Sequence, residues 1–332
     1  MQPAVTEDTT VLSYWLNWRV LLCSIWLLSI MAISSFIIWK YESLDKLRAD
    51  KGETQQDAVQ FLCNDDTWKP CLKEIHPFWL LVFRVFAFCF LLSNLIARIL
   101  TSESRIFFFY TQWTFVLVTF YFGFGSLLSI YGCYQYHKMI SGNLNVLDET
   151  DSEKGNFMPL TNGENANKHE MRKVLNTQER SSPAIISYLF QVVYQMNAGA
   201  VMLTDCVYWL IIFPFLTVTD YKLSFMTVNM HTLNAVFLLC DTVLNCLQFP
   251  WFRIAYFLLW TFVFVIFQWI LHAFVFVWWP YPFLDLSSPF APLWYLGVGL
   301  MHIPCYGIFV FVARSKHYLL SRWFPQSYLC SK

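Results

Sequence analysis

Charge is what this sequence has least of. Only 13% of its 332 residues are Asp, Glu, Lys or Arg, against about a quarter in an ordinary soluble domain, and a water-facing surface cannot be built without them. A net charge is lacking as well: basic and acidic residues number 22 each, so no field of one sign points to nucleic acid or an acidic ligand. The apolar runs show no alternation of period two, which excludes barrel strands, and no internal repeat is visible. No HxxxH or HxH spacing suggests a metal, and no cofactor is expected. The N-terminal segment carries neither a basic n-region nor a small-residue cleavage site, so the first apolar run reads as a retained helix rather than a signal peptide.

What is present is apolar: 57% hydrophobic and 20% aromatic residues, gathered into long charge-free runs. Seven runs are of a length that crosses hydrocarbon, at 20–39, 78–100, 107–134, 196–216, 224–247, 254–279 and 293–313. The expected fold is all-α, a polytopic transmembrane bundle of about seven helices. Its parts would be a polar tail (1–19), an extra first transmembrane helix (20–39), a polar loop (40–76), helices two and three (77–134), a disordered polar loop (135–183), helices four to seven (184–313) and a basic tail (314–332). The second loop is rich in Asn, Glu, Lys, Asp and Gly and nearly free of aromatics, a composition that does not offset the entropy of ordering.

Alternating topology puts the N-terminus and residues 280–292 on one side, and 40–76, 248–253 and the tail on the other. The tail carries Arg314, Lys316 and Arg322, whereas 280–292 carries no Lys or Arg. The positive-inside rule makes the tail side cytosolic, in the endoplasmic reticulum, another endomembrane or the plasma membrane. Most of the ten cysteines, Cys246 among them, lie in apolar runs and read as small hydrophobes. Cys63 and Cys71 share a polar loop, but a cytosolic placement argues against their pairing. Cys330 is followed only by Ser331 and Lys332, so it is no prenylation box.

Ionisable and polar residues inside the runs are costly and therefore informative. Thr227, His231, Asn234, Asp241 and Asn245 follow a four-three spacing and form one stripe. Such a stripe serves either as interhelical glue or, holding His and Asp together, as a site. Asp241 lies roughly 15 Å along the helix from His231 at 1.5 Å per residue, too far to orient it, and is expected to pair with a donor on a neighbouring helix. Asp205, Gln268, His272 and His302 lie within the other runs. Depth groups them: Thr111 stands about four residues from the non-cytosolic end, His231 and His272 about seven, His302 about nine.

Residues 203–260 and the segment QWILHAFVFVWWPYPFLDLSSP resemble the rolling stone-like membrane proteins, notably their plant-type branch. That resemblance covers about Pro77 to the C-terminus, the disordered loop aside. More distantly, through a few short patterns in matching order, the chain is similar to the androgen-induced-gene family of threonine hydrolases, six-helix membrane enzymes that cleave fatty acid esters of hydroxy fatty acids. The hydrolase resemblance implies His231, in NMHT, as base and Thr111, in FFYTQWTF, as nucleophile. The tyrosine-to-threonine spacing is shifted by one, and Thr114 falls where the family has Asn, so either threonine can fill the role. Asp205 before Phe213-Pro214, and His272 before Trp279-Pro280-Tyr281-Pro282, match further family patterns; with Asn234 they are the expected supporting groups.

Two functions follow. One is an intramembrane lipid ester hydrolase, whose weak Thr nucleophile needs an adjacent base and a third group to orient that base. Its partners would be membrane lipids and a lipid ester, and nucleic acid is not among them. The other is a non-enzymatic scaffold, receptor-like or transport-associated protein; for a transporter, paired interrupted helices and repeats are expected, and only Pro214 and Pro304 interrupt the runs. Neither function says anything of oligomerisation. The charge asymmetry makes one prediction: in cytosol-out vesicles a C-terminal tag is digested by added protease, and a protected tag reverses the orientation.

Overall fold

The computed structural model describes residues 8–50, 67–101, 107–152, 164–216, 228–275 and 277–330. Apolar runs become helices because a helix satisfies each backbone N–H and C=O within its own segment, where no water can do so. The elements are α1 (Leu12–Trp15), α2 (Trp18–Asp50), α3 (Pro77–Thr101), α4 (Tyr110–Ser152), α5 (Glu164–Val207), α6 (Asn234–Leu244), α7 (Ile254–Phe274) and α8 (Ala291–Trp323). Two π-helical segments, Tyr208–Leu216 and Asn229–Leu233, continue α5 and lead into α6. Among the described residues there are no strands, only the isolated bridges Pro70 to Asn245 and Leu72 to Tyr328.

Six helical spans among the described residues are long and apolar enough to cross a membrane. The expected seventh, 224–247, is described only from Val228 onward, as a π-helical turn followed by α6, so the count of about seven is met only to six. Helices also reach further than the expected loops allow. The run in 20–39 extends to Asp50; α4 continues to Ser152 and α5 begins at Glu164, so the described parts of the stretch expected as a disordered loop are helical. The basic tail is helical to Trp323. These extensions carry polar residues, and a helix needs apolar residues only where it meets apolar surroundings.

Burial orders the bundle. Half of the central window of the α4 span is buried, against 11% for α2. Helix α2 therefore lies at the edge, with Leu21, Ile25, Leu28, Ile33 and Phe36 exposed. An exterior this apolar suits lipid rather than water.

A buried ion pair ties the centre together. Arg84 of α3 donates Nε–H to Asp241 Oδ1 of α6 at 2.8 Å, and both side chains are fully buried. The other donors of Arg84 meet Thr67 O at 2.7 Å and Ser129 Oγ at 2.9 Å. The Tyr121 hydroxyl and Asn245 Nδ2–H both donate to Asp241 Oδ2, at 2.5 and 2.8 Å. The expected pairing of Asp241 with a donor on a neighbouring helix is thus seen, with α3 and α4 supplying Arg84 and Tyr121 beside its own Asn245.

The two ends are closed differently. At one, the Tyr14 hydroxyl donates to Asp285 at 3.0 Å and accepts from Trp279 Nε1 at 3.1 Å. Burial first, and the Asp285 carboxylate second, push the Tyr14 phenol up, so it stays protonated and remains a donor. At the other end Leu329 N–H reaches Cys71 O at 2.9 Å, Lys73 N–H reaches Ser327 O at 2.8 Å, and Cys246 and Cys330 form a disulfide. Reading Cys246 as a mere small hydrophobe is corrected by this fold-back of the tail, which brings together residues 84 apart. A lasting disulfide belongs to oxidising compartments, so it and the Lys/Arg count pull the assignment of this end in opposite directions. Cys63 lies outside the described residues.

Two substitutions test the packing. Arg84→Met strands a buried carboxylate and is expected to cost about 3–5 kcal/mol, much of it recovered in Arg84→Met/Asp241→Leu. Thermal unfolding in detergent reads this, and a single variant that melts like the parent shows the pair to be dispensable. Helix α5 approaches α7 at Gly199, where an added Cβ would stand 2.4 Å from the Phe257 ring. Gly199→Val should therefore lower stability by about 1–3 kcal/mol in the same assay.

Candidate functional site

Thr111 is the second residue of α4 and lines an apolar cavity with Tyr110, Thr204, Ile212, Thr261 and Tyr281. The Tyr281 phenol, which lies beside Thr111, is pushed up to about 12 by burial and stays protonated. Thr114, one turn on, is fully buried, and its hydroxyl has no hydrogen-bond partner. Between them Gln112 donates to Met230 Sδ at 3.2 Å, which sets the start of α4 against the residue preceding His231.

His231 sits in the second π-helical segment, its ring stacked on Tyr208 of the first at 3.7 Å between centroids. Its Nδ1 stands 3.9 Å from Asp205 Oδ1, and neither of these buried atoms has a hydrogen-bond partner. The structure thus brings together His231 and Asp205, two of the residues singled out from sequence. Among the described residues no hydrogen bond joins Thr111 or Thr114 to His231. Asn234 is buried one turn on, its Oδ1 accepting from the Ala235 N–H at 2.9 Å. His272 is engaged elsewhere: its ring stacks on Trp279 at 3.7 Å and its Nδ1 lies 2.7 Å from Gln268 O. Segments of π-helix are rare and concentrate at functional sites, and here two of them frame the His231 ring.

A second hydroxyl–imidazole pair is already joined. His302 Nε2 of α8 lies 2.9 Å from Thr261 Oγ1 of α7. The other ring nitrogen, Nδ1, is 2.8 Å from the Val298 carbonyl one turn back. A ring nitrogen facing a carbonyl must carry the proton, so Nε2 is left as acceptor for the Thr261 hydroxyl. The Tyr110 hydroxyl lies 2.8 Å from the same Thr261 oxygen, and donates to it in this arrangement. The chain from Tyr110 to Thr261 to His302 to Val298 O has the order of donor, nucleophile, base and orienting group.

Two apolar cavities border Thr261. One cavity is the Thr111 cavity; the other is lined by Thr261 and His302 with Leu27, Ile30, Tyr295 and Gly299. Leu27 and Ile30 belong to α2, the helix most exposed to lipid, so this cavity is walled by the lipid-facing edge of the bundle.

Sequence reading noted His302 but not Thr261. A usable signal was there: Thr261, Gln268 and His272 are spaced seven and four apart on an otherwise apolar helix and share one face. The pairing of Thr261 with His302, 41 residues away on the next long helix, has no sequence signature. Compared with protein families, with curated proteins and with solved structures, the chain matches none of them.

Proposed function

We propose that this chain is an intramembrane hydrolase of apolar acyl esters. The observation that carries the reading is the Thr261–His302 hydrogen bond of 2.9 Å, with two apolar cavities bordering Thr261. An acyl chain entering from lipid would lie in one cavity with its carbonyl at Thr261. His302 Nε2 takes the hydroxyl proton as Thr261 Oγ1 attacks the carbonyl carbon, and returns it to the departing alcohol oxygen. Water, activated by the same imidazole, then cleaves the acyl-threonine bond and frees the acid. Tyr110, whose hydroxyl donates to Thr261 Oγ1 in the resting chain, is freed by the attack to turn its O–H toward the negative charge that develops on the carbonyl oxygen.

The resemblance to threonine hydrolases of fatty acid esters of hydroxy fatty acids supports the same chemistry with Thr111 and His231 as the pair. Thr111 borders the cavity that Thr261 also borders, and Asp205 stands behind His231 at 3.9 Å, so this second assignment has its own support. On the expected topology the C-terminal tail faces the cytosol, the Thr111–His231 pair lies in the opposite leaflet and the Thr261–His302 pair lies nearer the middle of the bilayer.

Labelling with a lipophilic fluorophosphonate, followed by peptide mapping, separates the assignments. The modified residue is expected to be Thr261, with labelling abolished in Thr261→Val and slowed about 10²–10⁴-fold in His302→Gln. A label on Thr111 that survives Thr261→Val moves the chemistry to the resemblance pair. Absence of labelling and of ester cleavage in the folded parent chain sinks the enzyme reading and leaves a scaffold.

A further inference from the structure

Three sulfur atoms meet at the end of the bundle remote from Asp285. Cys71 precedes α3, Cys246 follows α6 and Cys330 lies in the tail; all three are buried, and their Sγ atoms lie within 4.8 Å of one another. Cys246 and Cys330 are joined as a disulfide, and the Cys71 thiol sits 3.2 Å from Cys330 Sγ. Backbone hydrogen bonds hold all three segments in register, Cys71 N–H to Leu244 O and Leu329 N–H to Cys71 O, each at 2.9 Å. His317 anchors the tail further, with Nδ1 2.7 Å from the Tyr328 hydroxyl.

The buried Cys71 thiol donates to the Asn245 carbonyl and lies beside a lysine. Lys316 is buried, donates to Asn245 O at 2.7 Å and hydrogen-bonds to the Cys71 sulfur. Among the described residues no salt bridge joins Lys316 to a carboxylate, and Asp241, which acts on it through space, is already engaged by Arg84, Tyr121 and Asn245. Once the Cys71 thiol proton leaves the Asn245 carbonyl, which Lys316 also contacts, a positive charge on Lys316 beside the sulfur favours the thiolate.

We infer that Cys71, Cys246 and Cys330 form an internal thiol–disulfide exchange site in which Cys330 alternates between two partners. Cys71 loses its proton and its thiolate attacks Cys330 Sγ; the Cys71–Cys330 bond forms as the Cys246–Cys330 bond breaks. Cys246 leaves as thiolate and takes up a proton, so atoms, electrons and protons balance without an added oxidant or reductant. The tail remains tethered throughout, first to the end of α6 and then to the segment before α3. This inference does not rest on the hydrolase reading.

The test maps disulfides in the purified full-length chain. The protein in detergent is acid-quenched, denatured and alkylated with N-ethylmaleimide before non-reducing digestion and mass spectrometry. Two singly alkylated forms are expected within this trio, one on Cys71 with Cys246–Cys330 and one on Cys246 with Cys71–Cys330. In Cys71→Ser the Cys246-alkylated form should vanish. Alkylation confined to Cys71 in the parent chain overturns the inference, as does a Cys246-alkylated form that persists in Cys71→Ser. Alkylation of all three, whether with or without one bound zinc ion per chain by elemental analysis, overturns it as well and makes the trio a thiol or metal cluster.

Discussion

The Arg84–Asp241 ion pair is the constraint on which the rest of the bundle depends. Two charges removed from water are tolerated only when each remaining donor and lone pair is satisfied, and here Thr67, Ser129, Tyr121 and Asn245 supply those partners. Meeting that demand locks α3, α4 and α6 together at one depth. It also reaches beyond the core. Asn245, which donates its side chain to Asp241, offers its carbonyl to both Lys316 and Cys71, so the ion pair and the sulfur cluster share one residue.

The other half of the bundle is organised by smaller polar units in apolar surroundings. Tyr14, Asp285 and Trp279 seal the end, and the Thr261–His302 pair lies inside it. Each unit satisfies its own hydrogen bonds locally, as polar groups in hydrocarbon must. The region around His231 departs from this rule: Thr114 Oγ1, Asp205 Oδ1 and His231 Nδ1 are buried without partners. Unspent hydrogen-bonding capacity between two π-helical segments is what a site awaiting a polar ligand group would carry. The two hydroxyl–imidazole candidates therefore differ in kind, one joined by a hydrogen bond in the resting chain and one whose imidazole Nδ1 is unpartnered.

Much of the architecture was legible without coordinates. The low charge and long apolar runs require helices, since period and length leave no alternative in hydrocarbon. The stripe from His231 to Asn245 announced an inward face, and four of its residues, His231, Asn234, Asp241 and Asn245, are indeed buried. Boundaries were less legible. Composition marks where a helix leaves apolar surroundings, not where it stops, and α4, α5 and α8 all run on into polar sequence.

Periodicity and composition by themselves determined that the chain is helical, that its helices are long and apolar enough to cross a membrane, and which residues are too polar to sit in them without a reason. Only the tertiary structure decided which of those residues meet. Helix spacing places groups on a face but says nothing of the rotation of one helix against another, and that rotation joins Thr261 to His302 rather than to His272 on its own helix. Arg84 illustrates the same limit, because its partner lies 157 residues away. The return of the tail to Cys71 and Cys246 depends on backbone bridges at Leu72 and Tyr328. Contacts of that range are set by packing free energy summed over the whole bundle, which no local pattern encodes.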